Sequence, residues 1–470
     1  MSRFRVLWAS AVGALAIVPF ALVIASACSA ARSGDEGLGG NDGDVTVDGG
    51  GFDLGSPFDD AHPRDAAPCT GIACNVVACP GGGSTTISGT VYAPNGTMPL
   101  YNVIVYVPNK PVDPFPEGVH CDKCGALASG DPITTTLTDY KGNFTLKDVP
   151  VGSNIPLVIQ LGKWRRELVV PATTACTDVK LTNREQTRLP KKQSEGHMPR
   201  IAVTTGGCDK LSCMLPKVGI DASEFGVAGA GKAVTFYKGD NPISFGSDGP
   251  AGMTVARSLW SNLDELKKYD LAIFSCECTE ASSSKDATSF KAVADYLAAG
   301  GRIFTTDFQY TWYKFSPDPG LSGIGSIPGG APGGVNPVVL DTSFPKGKAL
   351  ADWMKYIDPA VPYGQVQADY VFDNFSSANK ASVQTWASSG PPHPRFMTIN
   401  VPVGKPVEEQ CGKAVHLDAH INGTDTIDAS FPAGCTSKIK FGEEAFAFFF
   451  FDLSSCIQNE SETPKPPPVK

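Results

Sequence analysis

Hydrophobic positions recur along this chain with two periods, two residues apart in its first half and three to four apart in its second. Between 86 and 182, Ile87, Gly89 and Val91 alternate with polar neighbours, as do Val103, Val105 and Val107, then Phe144 and Leu146, then Leu157, Ile159 and Leu161. Such alternation places successive side chains on opposite faces of a strand. Asn95-Gly96 and Lys141-Gly142-Asn143 supply turns between strands. From 200 onward the pattern changes. Leu271-Ala272-Ile273-Phe274-Ser275-Cys276 reads as a strand, and Phe290, Val293, Ala294 and Leu297 line one helix face. Gly300-Gly301 stops that helix, and Arg302-Ile303-Phe304-Thr305-Thr306 is a second strand. Strand, helix, stop, strand is a βαβ unit, which predicts a parallel sheet with ligand space at the carboxyl ends of its strands. Helices are also expected over 258–268 and 348–357, strands over 395–403 and 413–421, and a Gly/Pro-rich surface loop over 317–337. Residues 443–453 suit a closing helix, although Phe446 and the run 448–451 suit a buried strand as well.

The chain has 470 residues and a net charge of −9. That length suits two or three domains, and the acidic balance leaves no electrostatic footprint for nucleic acid. Arg3 and Arg5 precede an apolar run over 6–24 that ends in Ala25-Ser26-Ala27-Cys28, an export signal. This ending resembles a bacterial lipobox, which implies cleavage after residue 27 and lipid on Cys28, although Ala25 stands where Leu is preferred. Ala25 and Ala27 equally satisfy an ordinary signal peptidase, and the run is nearly long enough to stay as an anchor. Every route exports the chain, to an outer membrane or cell surface on the lipid reading. Export explains the 14 cysteines, because disulfides persist outside the cytoplasm. The candidates are Cys69, Cys74, Cys79, Cys121, Cys124, Cys176, Cys208, Cys213, Cys276, Cys278, Cys411, Cys435 and Cys456. With lipid on Cys28 an odd number remains, so one thiol is left over.

These shifts divide the chain into a signal peptide (1–27), a Gly/Asp-rich tether (28–68), a β-rich domain (69–182), a charged linker (183–199), an α/β domain (200–456) and a Pro-rich tail (457–470). Tether and tail are too poor in apolar residues to offset their ordering entropy and are expected to be disordered. Asn41-Asp42-Gly43-Asp44 and Asp48-Gly49-Gly50 lack the fixed ligand spacing and closing Glu of a calcium loop.

Two stretches resemble known families. Ile87-Ser88-Gly89-Thr90-Val91, then Leu100-Tyr101-Asn102-Val103-Ile104-Val105, then Thr138-Asp139-Tyr140-Lys141-Gly142-Asn143-Phe144 and Val149-Pro150-Val151-Gly152 look like the carboxypeptidase regulatory-like domain. That resemblance implies a small transthyretin-like β-sandwich over 86–182 with a non-catalytic, adhesive or spacer role. The copy departs from the family by an insertion over 108–132 carrying Cys121-Asp122-Lys123-Cys124. A redox dithiol needs a strand-to-helix setting, so this pair reads as structural. Tyr269-Asp270 before an apolar strand, then a helix, Gly300-Gly301 and a second apolar strand, is similar to the class I glutamine-amidotransferase-like group and its ThuA-like relatives. It implies a doubly wound, flavodoxin-like sheet. In working amidotransferases a nucleophilic Cys stands on the sharp turn after the strand equivalent to 302–306. Here that place holds Asp307-Phe308-Gln309-Tyr310, without the His that ThuA-like members tend to carry. His420 matches a His near the last strand, but Asn422 replaces the Glu expected two residues later. The resemblance implies the frame of a catalyst without its nucleophile.

Little else in the sequence carries chemistry. Gly226-Val227-Ala228-Gly229-Ala230-Gly231-Lys232-Ala233 nearly spells a P-loop, but Ala233 cannot hold magnesium and no strand runs directly into Gly226. Cys208 and Cys213 are close enough for a local bridge, and Cys276 and Cys278 are expected to bridge to partners. Cys276 also ends a strand, where a nucleophile would be exposed. His416, Asp418 and His420 alternate, so on a strand they share one face and can co-ligand a metal, although Val415, Leu417, Ala419 and Ile421 equally describe a strand with one buried side. The sequence therefore reads first as an exported, lipid-anchored envelope protein with a binding or structural role, no cofactor, and other envelope proteins or polysaccharide as partners. The alternative is a hydrolase, with or without a metal, using Asp307, His420 or Cys276 at the carboxyl ends of the second sheet.

Overall fold

The computed structural model describes residues 69–469, apart from 124–127, 241–248, 281–282, 331–332, 391–392, 422–430 and 436–437. The signal peptide, Cys28, the tether, Cys124 and Asn422 lie outside the described residues. Ala67–Lys470 forms one compact unit.

Strands β1 (Thr86–Thr90), β2 (Ile104–Pro108), β3 (Pro132–Leu137), β4 (Asn143–Leu146), β5 (Gly152–Leu161), β6 (Trp164–Thr173) and β7 (Asp178–Leu181) make two sheets, ordered β4-β1-β7 and β3-β2-β5-β6. Ile87, Phe144 and Leu146 from the first sheet share one apolar core with Val105, Val107, Leu157 and Ile159 from the second. The intervening positions of β2, Ile104 and Tyr106, are buried too, because Val112, Phe115 and Ala128 of the 108–132 insertion cover that face. The turn into β4 is set by Asp139, whose Oδ1 accepts hydrogen bonds from the Lys141 and Asn143 amides, both at 2.8 Å. Gly142 there has φ +74°, and a Cβ would lie 2.5 Å from the Val91 carbonyl oxygen. Gly142→Ala is therefore expected to cost roughly 1–3 kcal/mol, read as a lower urea midpoint at unchanged slope.

The second sheet is larger. It contains β8 (Ile201–Thr204), β9 (Phe225–Val227), β10 (Val234–Lys238), β11 (Thr254–Val255), β12 (Leu271–Phe274) and β13 (Arg302–Thr306). After β14 (Gly325–Ser326) come β15 (Val338–Leu340), β16 (Gln365–Val366), β17 (Tyr370–Val371), β18 (Ser377–Ala378), β19 (Gln384–Ser388), β20 (Pro394–Val401), β21 (Gly412–Leu417) and β22 (Ala419–His420). The sheet runs β11-β10-β8-β12-β13-β21-β20-β19-β15-β16, with β9 beside β10. Pairing is parallel from β11 through β21 and antiparallel from β21 to β16. The helix Ala287–Ala298, capped by Asp286 onto the Ser289 amide, connects β12 to β13. The short ribbons β14–β18 and β17–β22 lie off this sheet. The 258–268 segment is two short helices rather than one, because Asn262 accepts from the Asp264 and Glu265 amides and starts the second.

Phe441–Ser454 is a helix. Phe446 packs on Phe304 and Phe396 of the large sheet, Phe448 on Tyr101 and Trp353, and Phe451 on Trp164 of the sandwich. Its phenylalanines face both ways, so the helix is buried between the two halves, with Glu443 and Glu444 in its first turn and Asp452 in its last. Trp353 comes from the helix Pro345–Ile357.

Two expectations drawn from composition are corrected. Residues 183–199 are not a solvated connector. Leu189 and Met198 are buried, and the buried Arg188 pairs with Glu195 at 2.6 Å and Glu185 at 2.8 Å. The tail is not loose either. Pro467 accepts from the Thr135 hydroxyl at 2.7 Å, and the buried Glu460 pairs with Lys346 and Lys413.

The disulfides are Cys69–Cys74, Cys79–Cys176, Cys121–Cys411, Cys208–Cys278 and Cys213–Cys435, and Cys456 is disulfide-bonded as well. The expected local bridge between Cys208 and Cys213 does not form. The Cys208 amide donates to the Cys276 carbonyl at 3.2 Å, which holds Cys208 beside Cys278, whereas Cys213 lies in the helix Leu211–Lys217. Cys276 is free and buried, contrary to its expected bridging. These bonds are the mark of an oxidising compartment. Among the described residues, no helix is long and apolar enough to cross a membrane.

Candidate functional site

Buried polar side chains gather where β12, β13 and β21 end. Cys276 follows β12 by two residues, Asp307 follows β13 directly, and His420 ends β22. The Asp307 Oδ2 lies 2.8 Å from His420 Nε2 and accepts from the Cys276 thiol at 3.3 Å. The histidine approach is a charge contact, since Nε2 makes no aligned hydrogen bond. Asp307 has φ +38°, a left-handed conformation that an ordinary residue keeps only where its surroundings enforce it. Asn374 donates from Nδ2 to Asp307 Oδ1 and to Asp418 Oδ1, both at 2.6 Å, while its amide donates to Asp418 Oδ2 at 2.8 Å. The Cys278 amide donates to the Cys276 sulfur at 3.3 Å.

Burial and crowded negative charge set the protonation of this cluster. Burial pushes Asp209 up to about 7, against the pull of His420, and pushes Asp418 up to about 7, with Asp307 adding to the effect. Burial drives His416 down to about 3, so it is neutral. Burial also opposes charge on His420, but contact with Asp307 and the nearby Asp209 and Asp418 outweighs it and raises the imidazole above its ordinary value. The Cys276 thiol is pushed up by burial and by Asp307, so it is a proton donor here rather than a thiolate.

The three alternating residues of the late strand part company. His420 joins Asp307, Asp418 turns to Asn374, and His416 Nδ1 lies 3.1 Å from the Thr305 hydroxyl, with its ring against Tyr313 and Phe375. Sequence reasoning missed Asp209 and Asn374. Asp209 accepts from the Ile421 amide at 3.2 Å. Its signal was its place just after the first parallel strand and Gly206-Gly207, whereas Asn374 lies in a loop that no periodicity marks. Tyr310 and Trp312, next to the site in sequence, belong to the core, where Trp312 packs on Trp260, Phe274 and Phe290. A cavity of about 250 Å³ lined by Lys163, His197, Arg200 and Asp270 opens near the starts of β8 and β12, at the other end of these strands.

A scan against family models and a search of curated proteins each return no match. Among solved structures, two crystallised type II cohesin–X-dockerin complexes from Acetivibrio cellulolyticus align with parts of the chain. A C-terminal interface mutant aligns at 19% identity and TM-score 0.14, covering 22% of this chain and 56% of that one. An N-terminal interface mutant aligns at 16% identity and TM-score 0.16, covering 32% and 88%. Neither likeness carries an argument about fold or function.

Proposed function

We propose that the chain is an exported cell-envelope protein, anchored by lipid on Cys28, in which a carboxypeptidase-regulatory-like sandwich supports an amidotransferase-like α/β half with a hydrolytic centre at its carboxyl edge. The observation that carries this reading is the 2.8 Å contact between His420 and Asp307, on a left-handed residue at a strand end where the resembling enzymes place their nucleophile. The imidazole takes a proton from water as the water oxygen bonds to the electrophilic carbon. It then returns the proton to the leaving group as the scissile bond breaks. Asp307 stabilises the charged ring between these steps.

Turnover is expected on one member of a panel of chromogenic esters, amides and glycosides. His420→Ala and Asp307→Asn should each lower kcat at least about a hundredfold, measured on protein that circular dichroism shows to be folded. Because the base must be neutral and its pKa is raised, activity should climb with pH through a midpoint above the ordinary imidazole value. A second reading, a binding or structural role toward other envelope proteins or polysaccharide, is favoured by the closure of the centre, with Cys276 0%, Asp307 1% and His420 5% exposed. Wild-type turnover no faster than that of the two variants leaves this second reading standing.

A further inference from the structure

We propose that Cys276, Asp307 and His420 form a three-ligand site for a divalent transition metal of the zinc class. The inference deepens the hydrolytic reading and rests on the same site. The sulfur, one carboxylate oxygen and one ring nitrogen lie within 4.8 Å of one another, and all three residues are buried. A thiolate, an imidazole and a carboxylate are zinc's ordinary protein ligands, and three of them leave a fourth position for water or substrate, as in catalytic sites.

Two further features point to an ion. His420 Nε2 is buried and makes no aligned hydrogen bond, although Asp307 stands 2.8 Å away. A metal ion that displaced the Nε2 proton would take both atoms as ligands. Carboxylates also outnumber cations around the site, where His420 faces three of them. Asp209, Asp307 and Asp418 crowd one buried space, and the guanidinium of Arg395 reaches only to 3.9 Å from Asp418. An ion at the three ligand atoms would neutralise that charge. Asn374 holds the second oxygen of Asp307, and the Cys278 amide supports the sulfur. Outer partners of this kind orient the ligands and stabilise the thiolate. Ligation releases the Cys276 thiol proton and the proton of the charged His420 ring to solvent, and leaves the sulfur and the ring nitrogen as donors.

The test uses the full-length chain purified in detergent, stripped with a chelator and titrated with cobalt(II). One equivalent should bind and give a thiolate-to-cobalt charge-transfer band together with tetrahedral d–d bands. Cys276→Ser should abolish the charge-transfer band, His420→Ala should weaken affinity at least a hundredfold, and Asn374→Ala should weaken it about 10–100-fold. Circular dichroism of each variant separates lost ligation from lost folding, and zinc protection of Cys276 against alkylation in the wild-type chain gives a readout that needs no variant. No charge-transfer band at saturating cobalt, or a band that survives Cys276→Ser, overturns the proposal. Bound metal without hydrolysis sinks only the hydrolytic reading, and hydrolysis by the stripped protein sinks only this one.

Discussion

Lys413→Met is expected to lower the stability of the folded chain by about 3–5 kcal/mol, the range for removing one partner from a buried ion pair. Lys413 and Lys346 are fully buried and face Asp452 and Glu460 in a closed quartet. Lys413 Nζ lies 2.5 Å from Asp452 and 2.7 Å from Glu460, and Lys346 Nζ lies 2.7 Å and 2.8 Å from the same two carboxylates. Two cations against two anions balance. Deleting one cation leaves two buried carboxylates sharing a single lysine, away from water. Lys413→Met/Glu460→Met restores the balance by keeping Lys346 against Asp452, so it should recover part of the loss in a double-mutant cycle. Strictly additive losses in chemical denaturation would mean that the four groups do not act together. The quartet also predicts an acid limb. Burial opposes charge on Asp452, but the two lysines outweigh it and hold the carboxyl at about 2, below its ordinary value. A depressed carboxylate contributes stability that is fully present above the unfolded pKa and lost as pH falls through the folded one. Stability should therefore decline below about pH 4 and more shallowly in Lys413→Met.

Replacing Cys121 and Cys411 together by serine is expected to cost about 4–5 kcal/mol, near the top of the range for a single disulfide. The bond joins residues 290 apart in sequence, and the entropy it removes from the unfolded chain grows with the loop closed. It fastens the sandwich insertion to the segment between β20 and β21. Cys69–Cys74 closes only 5 residues, so its removal should cost much less. Equal losses for the two pairs in urea unfolding would count against loop closure as the source of the effect. Cys208–Cys278 lies inside the larger loop and shortens the chain it closes, so the effect should be smaller while that bridge is intact.

What could be read from the residues follows from how local each cause is. Phe144 and Leu146 lie two apart on one strand, Asp139 and Gly142 sit in one turn, and Phe290 to Leu297 occupy one helix face. Each needs only its neighbours. The position of Asp307 just past a strand was legible for the same reason. Of the antiparallel strands beyond β21, β20 was legible as an apolar run over 395–403, but β19, β15 and β16 carry no βαβ spacing and left no comparable mark. Asn374 reaches Asp307 across 67 residues of chain, and no local pattern announces such a contact. Glu460 misled because one buried carboxylate in a Pro-rich tail is invisible to composition. The partners that hold it, Lys346 and Lys413, lie far away in sequence. Cys276 was misread because a compartment that oxidises most thiols says nothing about the one shielded from exchange.

The phenylalanine-rich helix before the tail bears on how this protein can be taken apart. A cut near residue 190 would strip Tyr101 and Trp164 of their aromatic cover on one side and bare Phe448 and Phe451 on the other. Neither piece is a cassette to be grafted elsewhere, and fragments made at the apparent domain border should clump rather than fold.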